Sequence, residues 1–399
     1  MESYDYIIAG GGCAGLSLAY YLSQSNLRNA KVLIVDRDEK VRNDRTWCFW
    51  TEQPTAFDQI VAKNWQELSF KSTQGTQQAN LTQQYQMIRS ANFYHFTKSA
   101  IRQFPNFHWL QGNINRTGED ESGAYVVIDG KMYRAKQVFD SCFNWRDWQQ
   151  QSGSHQFLLQ HFKGWFIETD MPVFNPEQAT LMDFRTPQQG NARFLYVLPF
   201  SERAALVEYT IFSPEIEPES VYDQALKGYM NDHLNIQEYR ILETERGAIP
   251  MTDLTLKWDG TSKVVPIGTP GGAVKPTTGY AFLRIQQQAR SIVRGLEKTD
   301  RPVFPKTKKR FRFYDRLLLS ILQHEGGNAA AVFSALFQRN TMNTILTFLD
   351  ERTNIWQEAN IFARLPFMPF LRAIVRVYLM KRSIKFSPKP KLQTAKKIA

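Results

Sequence analysis

Cysteine is scarce in this chain. Cys13, Cys48 and Cys142 are the three present, scattered without metal-site or redox spacing. An odd count argues against a disulfide framework, so a reducing, cytoplasmic setting is expected. The six histidines show no ligand spacing, and no metal site is expected. Long apolar runs are missing too. Ile361 to Met380 comes nearest to a bilayer span, but Arg364, Arg372, Arg376 and two prolines interrupt it. No secretory signal is expected ahead of Tyr6-Ile7-Ile8-Ala9, which begins almost at once. Acid is absent from one end: from Ile361 onward there is no Asp or Glu, in a chain of formal charge +11. Basic residues alternate there with large apolar ones. That favours a membrane surface over nucleic acid, for which no base-reading module is present.

What is present favours burial. Apolar residues make up 43% of the chain, with 28 Phe, 16 Tyr and 9 Trp, too many large side chains for disorder. The 399 residues suffice for two or three domains around a shared core. The aromatic load reads either as a large core or as rings lining a cavity for an extended apolar ligand. Tyr4 to Ala9, Leu16 to Leu22 and Lys31 to Val35 predict a strand, a helix and a second strand, a βαβ unit. Asn43 to Trp50 reads as an aromatic loop, Tyr85 to Ser90 as a strand, and Asn92 to Arg102 as a helix. Segments 162–168, 179–184, 192–199 and 205–211 predict one largely antiparallel sheet. Val264 to Ile267 predicts a strand returning to the first domain, followed by a helix over Phe282 to Lys298. Beyond Arg312 the chain reads as helical to about Met380, then as a disordered Pro/Lys-rich tail.

The fold class is therefore α/β. A Rossmann-type domain is expected over 1–150 and 255–300, with an inserted antiparallel β-sheet substrate domain over 151–254. A helical, membrane-proximal region with a basic tail is expected over 301–399. Within it, Arg372 and Arg376 share one helix face while Leu371, Ile374, Val375 and Tyr378 occupy another. That pattern suits a helix lying in a membrane interface or one docked on the core.

Gly10-Gly11-Gly12-Cys13-Ala14-Gly15 fits G-x-G-x-x-G between a strand and a helix. Gly10 permits the tight turn, Gly12 lets the backbone approach a pyrophosphate, and Gly15 lets helix and strand pack closely. The helix start offers free amides to the phosphates, and Asp36 stands where a ribose-binding acid is expected. The motif alone leaves FAD and NAD open. A second glycine segment, with Gly268 and Gly271, follows a strand and precedes a long helix far down the chain. Capture at two points favours the larger FAD.

Glu208 interrupts the apolar strand Ala204 to Thr210. A carboxyl in such surroundings is costly to ionise and stays protonated, a strong acid toward a substrate too apolar to be protonated by water. The alternative is a surface-facing residue of an edge strand, or a partner of Arg203. Glu245 and Arg246 read as a local ion pair.

Taken together, Asn43 to Trp50, Phe162 to Thr169, Met182-Asp183-Phe184, Phe194 to Phe200, Leu206 to Thr210, Glu245 to Met251 and Pro276 to Tyr280 resemble the lycopene β-cyclases of carotenoid-making bacteria and plastids. The resemblance implies a glutathione-reductase-like FAD protein whose flavin NAD(P)H keeps reduced. It assigns the essential carboxylate to Glu208, the paired acidic segment to Asp183, and the flavin side to Thr278 and Gly279. Tyr209 stands where many members carry a second acid, which leaves Glu208 to act alone or with Asp183; the alternative for Asp183 is a structural hydrogen-bond acceptor with Arg185. The implied reaction is lycopene to γ-carotene to β-carotene, redox-neutral overall. Trp47, Trp50, Trp165 and Tyr196, with Phe49, are the aromatic candidates for the substrate cavity. Lycopene and other acyclic or monocyclic carotenoids are the implied substrates, taken from a membrane that the protein touches peripherally. The rival readings are a FAD monooxygenase and a geranylgeranyl reductase. The first usually carries Gly-Asp in the second glycine segment, where this chain has Gly268-Thr269.

Overall fold

The computed structural model describes residues 3–153, 155–254 and 258–384. The tail expected to be disordered lies outside the described residues. The chain opens with β1 (Ser3–Ala9), α1 (Cys13–Ser23), β2 (Val32–Asp36), β3 (Thr46–Thr51), β4 (Val61–Ser72), β5 (Gly75–Arg89) and α2 (Ser90–Ile101). It continues with β6 (Phe107–Gln111), β7 (Ile114–Asp120), β8 (Gly123–Ile128), β9 (Lys131–Asp140), α3 (Trp145–Gln151), β10 (Phe157–Glu168), β11 (Gln178–Asp183), β12 (Ala192–Pro199) and β13 (Ala204–Ser213). Then come α4 (Glu219–Leu234), β14 (Arg240–Thr252), β15 (Val264–Pro266), α5 (Phe282–Thr299), α6 (Lys309–His324), α7 (Ala329–Gln338), α8 (Met342–Leu349), α9 (Ile355–Phe362) and α10 (Phe367–Ile384).

The first sheet follows the order β6-β2-β1-β9-β8-β7, with β15 joining β9. Strands β1, β2, β6, β9 and β15 pair in parallel, as a βαβ-built sheet requires. Ile8 and Ile34 pack with Leu16 and Leu22 of α1 and Ile285, Ile292 and Leu296 of α5. Ile7, Leu33 and Val35 point the other way, onto Ala124 and Val126 of β8. Alternate side chains thus bury both faces, which makes β1 and β2 almost continuously apolar. Helix α1 lies close against β1. A Cβ on Gly15 would fall 1.9 Å from the Gly10 carbonyl oxygen.

The second sheet has the order β14-β10-β13-β12-β11-β4-β5-β3 and is antiparallel except where β11 meets β4. It corrects two expectations. Asn43 to Trp50 is not simply a loop, because Thr46 onward forms β3. Residues 46–89 also supply β3, β4 and β5 to this sheet, not to the domain expected over 1–150. Much of β5 is polar and exposed, so its apolar period is weak. Pairing between strands distant in sequence leaves no local mark.

The two faces of this sheet have different covers. Trp165, Ile167, Leu195, Val197, Val207, Tyr209 and Ile211 meet Tyr222, Leu226, Tyr229 and Met230 of α4. Phe166, Phe194, Tyr196, Leu198, Leu206 and Phe212 face a cluster that includes Trp50, Trp65 and Tyr85 and the C-terminal helices through Leu319, Phe333 and Phe337. Helices α6 to α10 follow where helices were expected. Helix α10 docks through buried Ala373 and Val377, while Arg372 and Arg376 bond Glu325 at 3.0 and 2.6 Å.

Substituting Gly15→Ala forces α1 away from the first glycine turn. The expected cost is about 3 kcal/mol of stability, read as a lower denaturant midpoint with an unchanged slope.

Candidate active site

Contacts that a side chain would break shape the first glycine turn. Gly10 has φ of 99°, in the left-handed region. Helix α1 starts after Gly12 with no side-chain cap, so its first amides are unspent and its positive dipole end is open. A Cβ on Gly12 would meet nothing within 4 Å. Asp36 ends β2, and its Oδ2 accepts from the Gly11 amide at 2.7 Å, which fixes the turn. Gly268 comes so near that its Cβ would sit 2.6 Å from that of Ala14. Buried Gln288 of α5 ties the second glycine segment down, accepting from the Gly268 amide at 2.7 Å and donating to the Gly271 carbonyl at 2.8 Å.

A cavity of about 420 Å³ joins these turns to the second sheet, with Gly12, Ala14, Gly268, Thr278, Gly279, Trp47, Tyr196, Leu206, Glu208 and Glu245 in its walls. Gln160 is buried in the same wall, and its Oε1 has no hydrogen-bond partner among the described residues. The open amides, the uncrowded Gly12 and this unspent carboxamide fit the diphosphate and the polar ring edge of a flavin dinucleotide. Gly271 does not line the cavity. A Cβ there would fall 2.6 Å from the Pro266 carbonyl oxygen, so its expected cofactor contact is corrected to a packing role.

The chemistry gathers on one row of the second sheet. Tyr196 of β12 pairs with Glu208 of β13, Glu208 with Gly164 of β10, and Gly164 with Glu245 of β14. Side chains in one row share a face, and neighbouring strands lie about 4.8 Å apart. Glu208 and Glu245 therefore stand roughly 10 Å apart at the backbone, two spacings across a residue with no side chain. A Cβ on Gly164 would crowd Leu206 at 2.8 Å and the Glu208 Cβ at 3.2 Å. Glu208 is the one half-open residue between Ala205 and Ser213, and its opening is onto the cavity.

Burial drives the Glu208 pKa well above 4.5, the negative charge of Glu245 adds to this, and a 3.0 Å hydrogen bond from the Thr210 hydroxyl offsets part of it. Burial raises Glu245 as well. There the Thr46 hydroxyl donates to the carboxylate and Arg45 lies near, and both lower it. Of the two, Glu208 has the less to offset its burial, the Thr210 hydroxyl against the Thr46 hydroxyl and Arg45 at Glu245. Arg203 is not its partner, since that guanidinium bonds the Asp170 carbonyl. Arg246 reaches toward Glu219 at 3.8 Å, so the expected local pair with Glu245 is not formed.

Four further expectations change. Asp183 is fully buried but lines neither the row nor its cavity. Its carboxylate takes Arg185 Nη2 at 2.6 Å and the Tyr229 hydroxyl at 2.7 Å, on the α4 side of the sheet. Burial alone would raise its pKa, yet Arg185 and Tyr229 hold it below 3.8, so it has no proton to give at neutral pH. Trp165 pairs with Val207, one residue out of step with Glu208, and faces α4 instead of the cavity. Trp50 meets Tyr280 edge to face, ring centroids 4.7 Å apart, and lines a neighbouring apolar cavity. Phe49 packs on Phe282 in the first domain's core. Position 209 also faces α4, so an acid there would not reach the row. The sequence reading missed Glu245, Gly164, Gln160 and Gln288. The glutamate-to-glycine complement is invisible until the strands are paired.

Asp183→Asn should cost about 3 kcal/mol by stranding Arg185. The wild-type carboxylate contributes stability that is present above pH 3.8 and lost as pH falls through its depressed native value. Acid unfolding curves of the two proteins should therefore converge at low pH.

Comparison with known proteins identifies the family and the fold. The family model described as "Lycopene cyclase protein" matches residues 5–375. A lycopene beta-cyclase of Paracoccus sp. (strain N81106 / MBIC 01143) is 35% identical over 321 residues, 74% of each chain. That of Pantoea ananas is 25% identical over 302 residues, 70% of this chain and 71% of the relative. Among solved structures, a flavoprotein/dehydrogenase from Cytophaga hutchinsonii aligns at a TM-score of 0.60 and 13% identity, covering 96% of this chain and 100% of that one. A geranylgeranyl bacteriochlorophyll reductase-like protein from Thermoplasma acidophilum aligns at 0.56 and 14%, covering 97% and 99%. The architecture is thus the glutathione-reductase-like one of FAD-dependent oxidoreductases and halogenases. The chain belongs to the lycopene cyclase family.

Proposed function

We propose that the protein is a lycopene β-cyclase that closes the ψ ends of lycopene to β-ionone rings, giving γ-carotene and β-carotene with no net redox change. The observation that most supports this is the row Tyr196–Glu208–Gly164–Glu245, two carboxyls of unlike surroundings on one face of an aromatic-walled cavity. Two carboxyls whose surroundings separate their pKa values divide naturally into acid and base. Glu208 gives its proton to C2 of the terminal C1=C2 bond. The C5=C6 electron pair closes onto the tertiary C1 cation, and loss of the C6 proton restores the C5=C6 bond. Glu245 accepts that proton, and proton exchange between the two carboxyls resets the site. Tyr85, Tyr196, Tyr280 and Trp47 exclude water and present ring faces to the cation.

FAD in its reduced form, maintained by NAD(P)H, would supply negative charge facing that cation. Gly10, Gly12, Ala14, Gly15, Asp36, Gly268, Thr278 and Gly279 would hold it, with Gln160 meeting its polar edge. The substrate has no hydrogen-bonding group, so its affinity comes from burial at roughly 25 cal/mol per Å².

A hydrocarbon of this kind resides in bilayers, and the proposal includes peripheral membrane contact through α10. No helix among the described residues is long and apolar enough to cross a membrane. Phe367, Ile374, Val375 and Tyr378 are exposed on α10, while Arg372, itself exposed, and half-buried Arg376 bond Glu325. The exposed apolar side chains would enter the membrane surface, with the arginines of the same helix beside them.

Glu208→Gln should lower cyclisation about 10²- to 10⁴-fold in anaerobic liposome assays with reduced FAD, read by pigment chromatography, while flavin content is unchanged. Full activity in this variant would remove the acid from the mechanism. Net nicotinamide oxidation in step with product would mark a reductase instead. Because the native pKa of Glu208 is raised, wild-type turnover should fall as pH rises through that value, and because Glu245 must be ionised to accept a proton, it should fall on the acid side as well. The group's contribution to stability has the same sign. It is full below pH 4.5 and lost as pH rises toward the native value. Ile374→Glu with Val375→Glu should abolish co-sedimentation with phospholipid vesicles without loss of bound flavin.

A further inference from the structure

A second cavity, also about 420 Å³, lies beside the first, among α6, α7, α9 and α10. Thr278 and Tyr280 line both cavities, so the Tyr280 side chain stands between them. Its hydroxyl lies 3.3 Å from that of Tyr85. The walls of the second cavity are almost entirely apolar, with Leu318, Phe333, Leu336, Phe348 and Phe362 prominent. The polar groups at its edge are spent on the protein. Lys275 bonds Asp315 and Glu351 at 2.8 and 2.9 Å, Thr277 donates to Asp315 at 2.8 Å, and the Tyr314 hydroxyl donates to Glu358 at 2.9 Å. An occupant would find apolar surface and little to bond, which selects a ligand with no polar atoms. Several wall residues are also exposed at the molecular surface: Phe313, Phe367, Leu371 and Ile374. The last three belong to α10, so the cavity opens on that helix's apolar outer face.

We propose that this second cavity receives the unreacted half of a linear polyene hydrocarbon, whose other end lies at Glu208, and that the substrate enters and leaves through the rim on α10. This rests on the reading of the substrate given above. A chain with two identical ends cannot place both at one row of carboxyls. The end not reacting needs a dry channel, and the wall at Tyr280 adjoins one. The two functions of the C-terminal helices then become one. They enclose the hydrocarbon, and their outer face meets the phase that supplies it.

The test fills the cavity from two sides, with Leu318→Trp on α6 and Val332→Phe on α7, each in FAD-loaded protein. Lycopene binding is measured from mixed detergent micelles, by separating bound from free pigment, alongside turnover and flavin content. Both variants should bind lycopene at least about tenfold more weakly with normal flavin content. Wild-type affinity in both variants would overturn the proposal while leaving the cyclase reading intact. Wild-type protein that binds lycopene without cyclising it, with binding lost in the variants, would support the cavity and overturn the reading. No lycopene binding by wild type would overturn both. If a substitution impairs folding, a photoreactive linear polyene cross-linked to wild-type protein decides the matter. Label on α6, α7 and α9 is expected, and label confined to other elements would contradict the proposal.

Discussion

The site depends on one buried carboxyl held beside another across a gap in a sheet. Glu208 cannot ionise cheaply because β13 sets it in the cavity wall, largely desolvated, with a second acid on the same row. Any side chain at position 164 would fill the space between them. The strand pairing is what makes this arrangement rigid. Four strands fix the positions of a tyrosine, two glutamates and a glycine with no loop intervening, and sites built on regular elements hold their geometry best. An exposed pair of acids at the same separation would both ionise and have no proton to offer at neutral pH.

The surrounding architecture isolates that row. The first sheet and its two glycine turns bring a dinucleotide site against the chamber, with Gln288 bracing the second turn from α5. The opposite face of the second sheet is sealed by α4, where Asp183, Arg185 and Tyr229 form a satisfied polar network. The two buried acids of the notable segments thus have opposite fates. Asp183 is given charge-stabilising partners and stays an anion, whereas Glu208 receives little more than a hydroxyl and keeps its proton. The C-terminal helices close the third side with apolar surface, suited to a substrate that offers no polar handle.

Much of this was legible in the sequence. The βαβ start, Asp36 at the end of β2, the return strand before α5 and the helical C-terminus all carry local signals of period and glycine placement. An acid inside an apolar strand marked Glu208. The rest depends on pairing between distant strands. Period-two alternation shows that Trp165 and Glu208 lie on strands, but only the β10–β13 register shows that they face opposite ways. Glu245 looked like half of a surface ion pair because its neighbour is an arginine. The register turns that arginine outward and brings the glutamate into line with Glu208. Strands β3 and β4 and most of β5 carry no local mark of their sheet for the same reason: residue type in β5 does not name its partner.

The most direct test is the protonation state of Glu208 itself. Infrared difference spectra of the FAD-loaded protein against Glu208→Gln, taken in heavy water across a pH series, report the carbonyl stretch of a neutral carboxylic acid. The account predicts a protonated-acid band at neutral pH that is missing from the variant and disappears only on the alkaline side. A carboxylate signature for Glu208 at neutral pH would contradict it.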